Sequence, residues 1–325
     1  MKKKIYWFIG NRKISETYYR ELLDREDVSF ISKDNVFNKS GLSKLFRLAF
    51  SQKINSRVRV PFKKHIFRYL LNKYGIINSS NTVFIFHEGW FDRDISDLLK
   101  KNYPRIKTII YFDDTIETYA QSIPSLDPMK LKEQFDFVLA YNPKDAEKYG
   151  LIKCNACFSK LTVAADTNMK SDICFIGQPK DRYELLGSIR DFVGRECKIN
   201  FIVVGDSEGN DEGIILTKEY MSYEKYLQNE ISSNCILEIL KGDTQGATFR
   251  CWEAVYYNKK LLTNWKGITS FEYYDSRFMR YFEKPEDIDV NFVKSEIDVD
   301  YHYKGDNSPS MFLKHIESII SEENF

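Results

Sequence analysis

Residues 108–115 read TIIYFDDT, a short run of β-branched and aromatic side chains followed directly by two acids. An apolar run without polar alternation is typical of a strand in a parallel sheet that is buried on both faces. Val83–Phe86 and Phe137–Tyr141 have the same character, and helical patterns follow strands of this kind, as at Asp92–Lys101 and Pro143–Tyr149. This alternation of buried strands and helices predicts a doubly wound α/β domain.

The same alternation extends toward the N-terminus and begins again in the second half of the chain. Ile5–Gly10 and Val28–Ser32 are the first predicted strands, and a new series runs from Asp172–Gly177 to Lys260–Thr263. We therefore predict two α/β domains in tandem and a final helix that begins at Pro309. Ligands bind such sheets at the carboxyl ends of the strands, so the loops that follow strands are the candidate sites.

The near-neutral total charge conceals two oppositely charged regions. The chain has 48 Lys and Arg against 47 Asp and Glu, a formal net charge of +1. Residues 1–80, however, hold 18 basic and six acidic residues, whereas residues 81–325 hold 30 and 41. No acid occurs from Asn35 to His87, and ten basic residues lie between Lys39 and Lys73. The first quarter of the chain is therefore expected to meet a partner of its own.

Within this basic segment, cations interleave with apolar residues at helical spacing. Helices are predicted over residues 42–50 and 62–74, and their candidate partner-binding cations are Lys44, Arg47, Lys63, Lys64 and Arg68. Basic amphipathic helices suit an anionic membrane surface, which is the interpretation we favour. A single-stranded nucleic acid is the competing partner, and a solvated helix face with a buried apolar side is the purely structural explanation.

Composition excludes several classes of protein. No apolar run approaches the ~20 residues of a membrane-spanning helix, and the apolar stretch after residues 2–4 is too short for a signal peptide. Cys154 and Cys157 form an isolated C-x-x-C with no second pair and no nearby His, which argues against a zinc site. The six cysteines are expected to be reduced thiols of a cytoplasmic protein.

One loop with residues suited to phosphate opens a helix in the second domain. Gly246 and Thr248 precede that helix, where free backbone N–H groups and a hydroxyl favour an anion. Arg250 adds a cation that binds phosphate in a bidentate manner. Glu253 lies on the same helical face and is suited to accept ribose hydroxyls. The alternative is an ordinary capped helix with a surface Arg–Glu pair.

A second, weaker candidate follows the strand that ends at Gly177. Lys180 and Arg182 come directly after that strand, at the start of the next helix. The arrangement is another turn that can face a phosphate. It matches neither the G-x-G-x-x-G fingerprint nor the P-loop lysine pattern.

Acidic residues occupy the corresponding position in the first domain. Asp113 and Asp114 follow one predicted strand and Glu88 follows another, where a carboxylate can act as a general base or bind a metal. The alternative is a helix N-cap, in which Asp114 or Thr115 begins the next helix. Gly10 and Asn11 lie in the loop after the first strand, at the same edge of the sheet.

Roughly residues 105–265 resemble GT-B glycosyltransferases, and more narrowly a bacterial group found among lipopolysaccharide and capsule synthesis proteins. The most specific part is QGATFRCWEA at residues 245–254, and the match is weaker over the first 80 residues. The other matching stretches are residues 111–115, 135–150, 172–186, 221–227, 234–239 and 259–264.

The resemblance implies two Rossmann-like domains that face each other across a cleft. Residues 1–165 would bind the acceptor, residues 166–308 would bind a nucleotide-sugar donor, and the helix at 309–325 would pack back on the first domain. By motif position and strand-end location, the expected donor-binding residues are Gly177, Lys180, Arg182, Met221, Gln245, Gly246, Thr248, Arg250 and Glu253.

The resemblance also bears on the reaction. Glu253 matches the second Glu of the E-x7-E motif of retaining enzymes, but Gln245 stands at the first position, so retention and inversion both stay open. An inverting enzyme needs a general base, for which the candidates are Asp114, Asp113 and Glu88, in that order. No bound metal is expected, because cationic groups and helix N-termini would stabilise the leaving diphosphate.

We therefore predict a glycosyltransferase that moves a sugar from a nucleotide-sugar, with UDP as the first guess, to a glycan or lipid-linked acceptor. Its expected role is bacterial surface-polysaccharide synthesis at the inner face of the cell membrane, with no nucleic acid as partner. Two alternatives stay open. One is a sugar-nucleotide epimerase of the same fold, and the other is a non-catalytic membrane- or nucleic-acid-binding module that uses residues 39–73.

Overall fold

The computed structural model of the protein describes residues 4–10, 12–38, 43–55, 58, 60–76, 79–240 and 246–322. The chain forms two compact units. The N-terminal unit contains residues 1–159 together with residues 306–325, and the C-terminal unit contains residues 160–305. The first boundary thus lies six residues before the one predicted from the sequence, and the chain returns to the N-terminal unit three residues earlier than predicted.

The N-terminal unit is built on a six-stranded sheet in which every pair of neighbours is parallel. The strand order is β2-β1-β3-β4-β5-β6. The chain therefore changes sides between β1 and β3, which is the point where doubly wound sheets bind ligands. The strands are β1 (Lys4–Ile9), β2 (Val28–Ser32), β3 (Thr82–His87), β4 (Lys107–Phe112), β5 (Phe137–Ala140) and β6 (Ile152–Lys153).

The C-terminal unit has a seven-stranded sheet of order β13-β12-β11-β7-β8-β10-β9. Only the β9–β10 pair at one edge is antiparallel. The chain changes sides between β7 and β11, so this pair of strands marks the expected ligand site of the unit. The strands are β7 (Ser171–Gly177), β8 (Ile199–Val204), β9 (Gly209–Asp211), β10 (Ile214–Thr217), β11 (Ser233–Glu238), β12 (Lys260–Thr263) and β13 (Met279–Tyr281).

Helices connect the strands in both units. Two of them have the bounds expected from local signals, since the Asn142 side chain caps the helix that begins at Pro143, and Ser222 caps the helix that begins at Tyr223. The helices are α1 (Arg12–Thr17), α2 (Lys33–Asn38), α3 (Ser43–Ala49), α4 (Gln52–Asn55), α5 (Lys63–Lys73), α6 (Arg93–Asn102), α7 (Ile116–Ser122), α8 (Leu131–Gln134), α9 (Pro143–Tyr149), α10 (Tyr183–Val193), α11 (Tyr223–Ile231), α12 (Phe249–Tyr256), α13 (Val290–Lys294) and α14 (Pro309–Glu322).

Buried side chains fill both faces of the N-terminal sheet, which explains why its strands are apolar throughout. On one face, Phe8 stacks on Phe86 with ring centroids 4.5 Å apart. On the other face, Phe312 of α14 stacks on Trp7 at 5.5 Å and lies 4.9 Å from the Tyr111 ring. The C-terminal helix is therefore part of the core of the N-terminal unit.

All six cysteines are buried free thiols. Among the described residues, no helix is long and apolar enough to cross a membrane. The strands that the sequence pattern missed, β6, β9, β10 and β13, have two to four residues each. They lie at or next to the sheet edges, where a strand too short to form an apolar run leaves little trace in the sequence.

Candidate functional site

The main candidate site lies between β7 and β11, where the chain changes sides of the C-terminal sheet. There β7 ends at Gly177 and the adjacent strand β11 ends at Glu238. The helix α12 begins at the same edge of the sheet. Thr248 caps this helix, and the Thr248 hydroxyl also donates to the Glu238 carboxylate at the end of β11. The two loops selected from the sequence thus meet at one place.

Two guanidinium groups, those of Arg182 and Arg250, converge beside Gly177. A Cβ atom on Gly177 would lie 3.1 Å from Nη2 of Arg182 and 3.2 Å from Nη2 of Arg250. Both guanidinium groups also lie over the ring of Phe175, at 5.4 and 5.2 Å from its centroid. The absence of a side chain at Gly177 therefore gives the two cations the room to approach each other.

Backbone oxygens hold this pair in place. Arg182 donates from Nη1 to the Ile239 carbonyl at 2.5 Å and from Nε to the Gln178 carbonyl at 3.2 Å, and Arg250 donates to the Ile176 carbonyl. Burial and the charge of Arg250 lower the pKa of Arg182 to about 10. Two adjacent cations repel each other, so the arrangement favours an anion that can bind both.

A carboxyl pair lies behind Arg250. Glu230 and Glu253 are both 1 % exposed, and Glu230 Oε1 lies 3.6 Å from Arg250 Nε. The Tyr226 hydroxyl is within hydrogen-bond distance of Glu230 Oε1 and, at 3.0 Å, of Glu253 Oε2. A phenol has one proton to donate, so one of these two carboxyl groups must supply a proton of its own.

Glu230 is the member of this pair that favours the protonated form more strongly. Burial and the neighbouring Glu253 carboxylate raise the pKa of Glu230 well above its ordinary value, and burial also raises the pKa of Glu253. For Arg250, burial opposes the charge, but Tyr226, Glu230 and Glu253 outweigh it and raise the pKa. The cluster of one guanidinium and two carboxyl groups is therefore neutral when Glu230 holds a proton.

Glu253, expected to accept ribose hydroxyls, contacts two tyrosines of α11. Glu253 Oε1 accepts a hydrogen bond from the Tyr223 hydroxyl at 2.7 Å, and Glu253 Oε2 lies 3.0 Å from the Tyr226 hydroxyl. The carboxylate is buried. In this structure Glu253 belongs to the cluster that holds Arg250, and its contact with a ribose stays a prediction.

Glu238 is a residue that the sequence analysis missed. Its buried carboxylate accepts hydrogen bonds from the hydroxyls of Thr248 and Thr263, the latter at 2.6 Å. It thereby ties the start of α12 to the end of β12. The Thr248 hydroxyl, expected to face a phosphate, is used in this tie and in capping the Arg250 N–H at 3.2 Å. A buried Glu at the end of a strand was the available signal, since such a position is otherwise apolar.

The remaining donor candidates are only partly described. Gly246 has a φ of 103°, a conformation that favours glycine. Met221 lies half-buried just before the Ser222 cap of α11. Gln245 and the side chain of Lys180 lie outside the described residues.

A second candidate site lies at the carboxyl ends of β3 and β4 in the N-terminal unit. His87 Nε2 lies 3.3 Å from Asp113 Oδ2 and 3.1 Å from the Tyr19 hydroxyl, and Tyr119 donates its hydroxyl proton to Asp113 Oδ1. The Asp113 side chain is 26 % exposed, whereas that of His87 is only 5 % exposed. The carboxylate is therefore the member of this pair that faces solvent.

The environment of Asp113 keeps its carboxylate ionised. Burial raises its pKa, but the His87 ring and the hydrogen bonds from His87 and Tyr119 outweigh burial, so the pKa lies below its ordinary value. Asp114, the first choice from the sequence, is exposed and accepts a hydrogen bond from the N–H of Thr115 at 2.7 Å. The cap of α7 is Thr115, whose hydroxyl accepts a hydrogen bond from the N–H of Thr118 at 3.2 Å.

The structure describes less of the other candidate residues in the N-terminal unit. Gly10 follows β1, and the Trp90 indole donates to the Ile9 carbonyl beside it at 2.7 Å. Asn11 and the side chain of Glu88 lie outside the described residues. Within the described residues, no group of three or more His, Cys, Asp and Glu side chains is placed to hold a metal ion.

The basic segment divides into buried and exposed cations. Lys63 was predicted to be a surface cation that binds a partner, but it is buried. Its Nζ lies 2.8 Å from Asp92 Oδ2 and 2.9 Å from Asp94 Oδ2. It is a structural ion pair between α5 and the start of α6. The other candidate cations, Lys44, Arg47, Lys64 and Arg68, are exposed.

No protein-family profile matches this chain, and no curated protein matches it. Among solved structures, the chain is similar to an α,α-trehalose-phosphate synthase (UDP-forming) from Burkholderia vietnamiensis, with a TM-score of 0.57 and 7% identity over 100% of both chains. It is similar to the N-terminal domain of Candida albicans trehalose-6-phosphate phosphatase, with a TM-score of 0.52 and 10% identity over 100% of this chain and 98% of the other.

A third similar structure, TarM, is longer. The match has a TM-score of 0.47 and 11% identity, and it covers 71% of this chain but only half of TarM. The full-length neighbours are enzymes of the GT-B fold, and the two parallel-sheet units of this chain have the same Rossmann-like architecture. The predicted fold class is thereby confirmed, and the chain has the fold of glycosyltransferases.

Proposed function

We propose that the protein is a glycosyltransferase that uses a nucleotide-sugar donor, probed first with UDP-sugars. The proposal rests on the guanidinium groups of Arg182 and Arg250, which converge beside Gly177 between β7 and β11. A diphosphate has two negatively charged groups in series, and two adjacent arginines match it with charge-assisted hydrogen bonds. The similar synthase from B. vietnamiensis is described as UDP-forming, which supports UDP as the first carrier to test.

The same pair of arginines has a role in the reaction. When the sugar leaves the donor, negative charge develops on the departing diphosphate, and fixed cations stabilise that charge. Arg182 and Arg250 are held by backbone carbonyls, so they need little reorganisation at that moment. Our proposal assigns this charge stabilisation to the protein's own cations and includes no bound metal.

In an inverting reaction, the acceptor hydroxyl loses its proton to a base as the new bond forms on the opposite face of the sugar. Asp113 is the residue we assign to this role, ahead of Asp114, because its ionised carboxylate is partly exposed. His87 and Tyr119 position that carboxylate through their contacts with its two oxygens. A retaining reaction would not depend on Asp113 in this way, so the two mechanisms are separable.

The acceptor and the location form the finer part of the proposal. A glycan or a lipid-linked acceptor of surface-polysaccharide synthesis, used at the inner face of the cell membrane, is supported by the resemblance of residues 105–265. The exposed cations of α3 and α5 support a membrane location. Nucleic acid is not a partner in this proposal.

The experiment is a nucleotide screen on the intact chain. A ligand that binds the folded state raises its melting temperature by mass action, so we expect one nucleoside diphosphate series to raise it and calorimetry to confirm the binding. Arg250→Ala should abolish the shift, whereas Arg190→Ala, which removes an arginine of α10 from surface ion pairs, should leave it unchanged.

Two results would contradict the proposal. Absence of binding to every nucleotide tested would exclude a nucleotide-sugar donor. Conversion of the bound sugar to its epimer without any acceptor would show the epimerase activity instead. Transfer of labelled sugar to a lipid-linked acceptor from a membrane extract would establish the complete reaction.

A further inference from the structure

Helix α5 (Lys63–Lys73) is amphipathic, and the two edges of its exposed face differ in the kind of side chain they contain. Its buried face contains Ile66, Phe67, Leu70 and Leu71 together with the paired Lys63. On the exposed face, Lys64 and Arg68 are four residues apart and therefore align on one edge. Phe62, His65 and Tyr69 follow at spacings of three and four and align on the other edge. One edge is cationic, and the other is aromatic up to Tyr69 and ends at the exposed Lys73.

Phe62, directly before this helix, combines exposure with backbone strain. Its side chain is 74 % exposed. Its φ of 65° lies in the left-handed region, which a bulky residue rarely adopts. Neither the burial of the ring nor an easy backbone conformation accounts for a phenylalanine here. Strained residues of this kind often belong to functional surfaces.

Other large apolar side chains are exposed in the same part of the chain. Leu48 is 49 % exposed, Val58 is 61 % exposed and Tyr69 is 51 % exposed. Leu48 belongs to α3, which contacts α5. Lys44 and Arg47, also on α3, are exposed as well. Apolar and cationic side chains thus share this surface, which we call the α3–α5 surface (Lys44, Arg47, Leu48, Val58, Phe62, Lys64, Arg68 and Tyr69).

We propose that the α3–α5 surface docks on an anionic lipid bilayer and that Phe62 is the side chain that enters the acyl region. Interfacial binding grows with the apolar area that enters the bilayer and with the attraction of basic residues to anionic headgroups. On α5, the apolar side chains and the basic side chains lie on adjacent edges of the same helix. This proposal deepens the membrane location given above but does not depend on sugar transfer.

Aliphatic side chains distinguish a bilayer from a single-stranded nucleic acid. Nucleic acid is bound by cations together with rings on which bases stack. Phe62 and Tyr69 have such rings, but Leu48 and Val58 have none and are exposed to a similar degree. All four side chains can enter the boundary between headgroups and acyl chains, so the bilayer uses the whole surface.

Vesicle co-sedimentation of the full chain tests the proposal. We expect binding to phosphatidylcholine vesicles that contain phosphatidylglycerol, weak binding to phosphatidylcholine alone, and a loss of binding as salt increases. Phe62→Gly should lower the partition coefficient about tenfold, since it removes a buried aromatic side chain from the bound state. Lys64→Ser with Arg68→Ser should lower it about thirtyfold.

The variants have matched controls. Met129 is also 74 % exposed in the N-terminal unit, so Met129→Gly removes an equal exposure elsewhere. Lys144→Ser with Lys148→Ser removes two exposed cations at the same spacing on α9. Both should leave vesicle binding unchanged. Glycine fits a positive φ without strain, so Phe62→Gly should fold at least as stably as the native chain.

Three outcomes would overturn the proposal. These are equal binding to neutral and anionic vesicles, equal losses in the controls, and binding of single-stranded RNA with no binding of vesicles. Nucleotide binding by Phe62→Gly is measured in parallel. Normal nucleotide binding with lost vesicle binding supports the docking surface, whereas normal vesicle binding with no nucleotide binding in the native chain contradicts only the proposed transferase.

Discussion

The two units place opposite charges at the carboxyl ends of their parallel strands. At the carboxyl ends of the N-terminal strands, the structure has the Asp113 carboxylate beside His87. At the carboxyl ends of the C-terminal strands, it has the guanidinium groups of Arg182 and Arg250. Parallel pairing provides the position in both units, because the carboxyl ends of parallel strands meet at one edge of the sheet. The chemistry of each site is decided by the side chains that follow the strands.

The two sites also differ in how their charges are held. Asp113 is partly exposed and is oriented by a ring and a phenol from neighbouring elements. Arg250 is held against a buried carboxyl pair, Glu230 and Glu253, which is itself held by tyrosines of α11. A partly exposed carboxylate suits proton transfer with a bound acceptor, whereas a fixed cation suits binding of a charged donor. The following changes test this division of roles.

The largest effect is expected from Asp113→Asn. Removing a general base typically lowers a rate by about 10² to 10⁴, so the transfer rate should fall by that factor while UDP affinity stays unchanged. Asp114→Asn, one residue along the chain, is the control and should change the rate less than about threefold. A steady-state assay with calorimetry separates the two quantities. Normal turnover in Asp113→Asn would remove the base from the N-terminal site.

Arg182→Ala should have the next largest effect, on donor binding. It removes one of two charge-assisted contacts to the diphosphate, worth about 2 kcal/mol, which is about thirtyfold in Kd. Its partners in the structure are backbone carbonyls, so no buried charge is left unpaired and the melting temperature should change little. Calorimetry with UDP measures the loss. An unchanged Kd would show that the two arginines are not the diphosphate site.

Glu230→Gln should change the pH dependence of stability. Between the ordinary carboxyl pKa near 4.3 and the raised pKa of Glu230, the folded state holds a proton that the unfolded state has lost. The free energy of unfolding therefore falls as pH rises, by at most about 1.4 kcal/mol per pH unit. Gln at this position cannot titrate, so the variant should lose this decline.

Urea unfolding at pH 5, 6 and 7 measures that slope. Glu224→Gln, an exposed position on the same helix, should keep the slope of the native chain. Identical slopes in the native chain and in Glu230→Gln would mean that Glu230 is ionised in the folded state. The neutral carboxyl cluster behind Arg250 would then need a different distribution of protons.

The smallest effect is expected from Gly177→Ala. The new methyl group would lie about 3 Å from both guanidinium groups, so each must shift by a few tenths of an ångström, and UDP affinity should fall by about threefold. Gly187→Ala is the control, since nothing lies within 4 Å of its added Cβ. In the middle of α10 it should raise stability by about 0.5–1 kcal/mol without changing affinity.

Local sequence signals were sufficient for much of the fold. The predicted bounds of α9 agree with the structure because the Asn142 cap and the proline that follows it are local features. The strands β2 and β12 were also predicted with their observed bounds. The short strand β6, by contrast, pairs through only two residues at the sheet edge, so its apolar pattern was too short to detect.

The positions of the candidate site residues could be predicted from the sequence, but their hydrogen-bond and ion-pair partners could not. The sequence placed Arg182, Arg250 and Asp113 after strands, which is where the structure has them. It also placed Lys63 among the surface cations and gave Glu253 a ligand contact. Their actual partners, Asp92 for Lys63 and Tyr223 for Glu253, are about 30 residues away along the chain, and no local pattern links such pairs.

The strand–helix alternation, the two-unit α/β architecture and the residues that follow the strands can all be read from the amino-acid sequence, because they depend on apolar periodicity and capping within a few residues. Which charges are buried and which are exposed is set by the packing of distant elements. This packing paired Lys63 with Asp92, set Glu230 against Glu253 and left Phe62 in solvent. These outcomes depend on which elements pack together, since a charge inside a protein is stable only when the fold brings a partner to it.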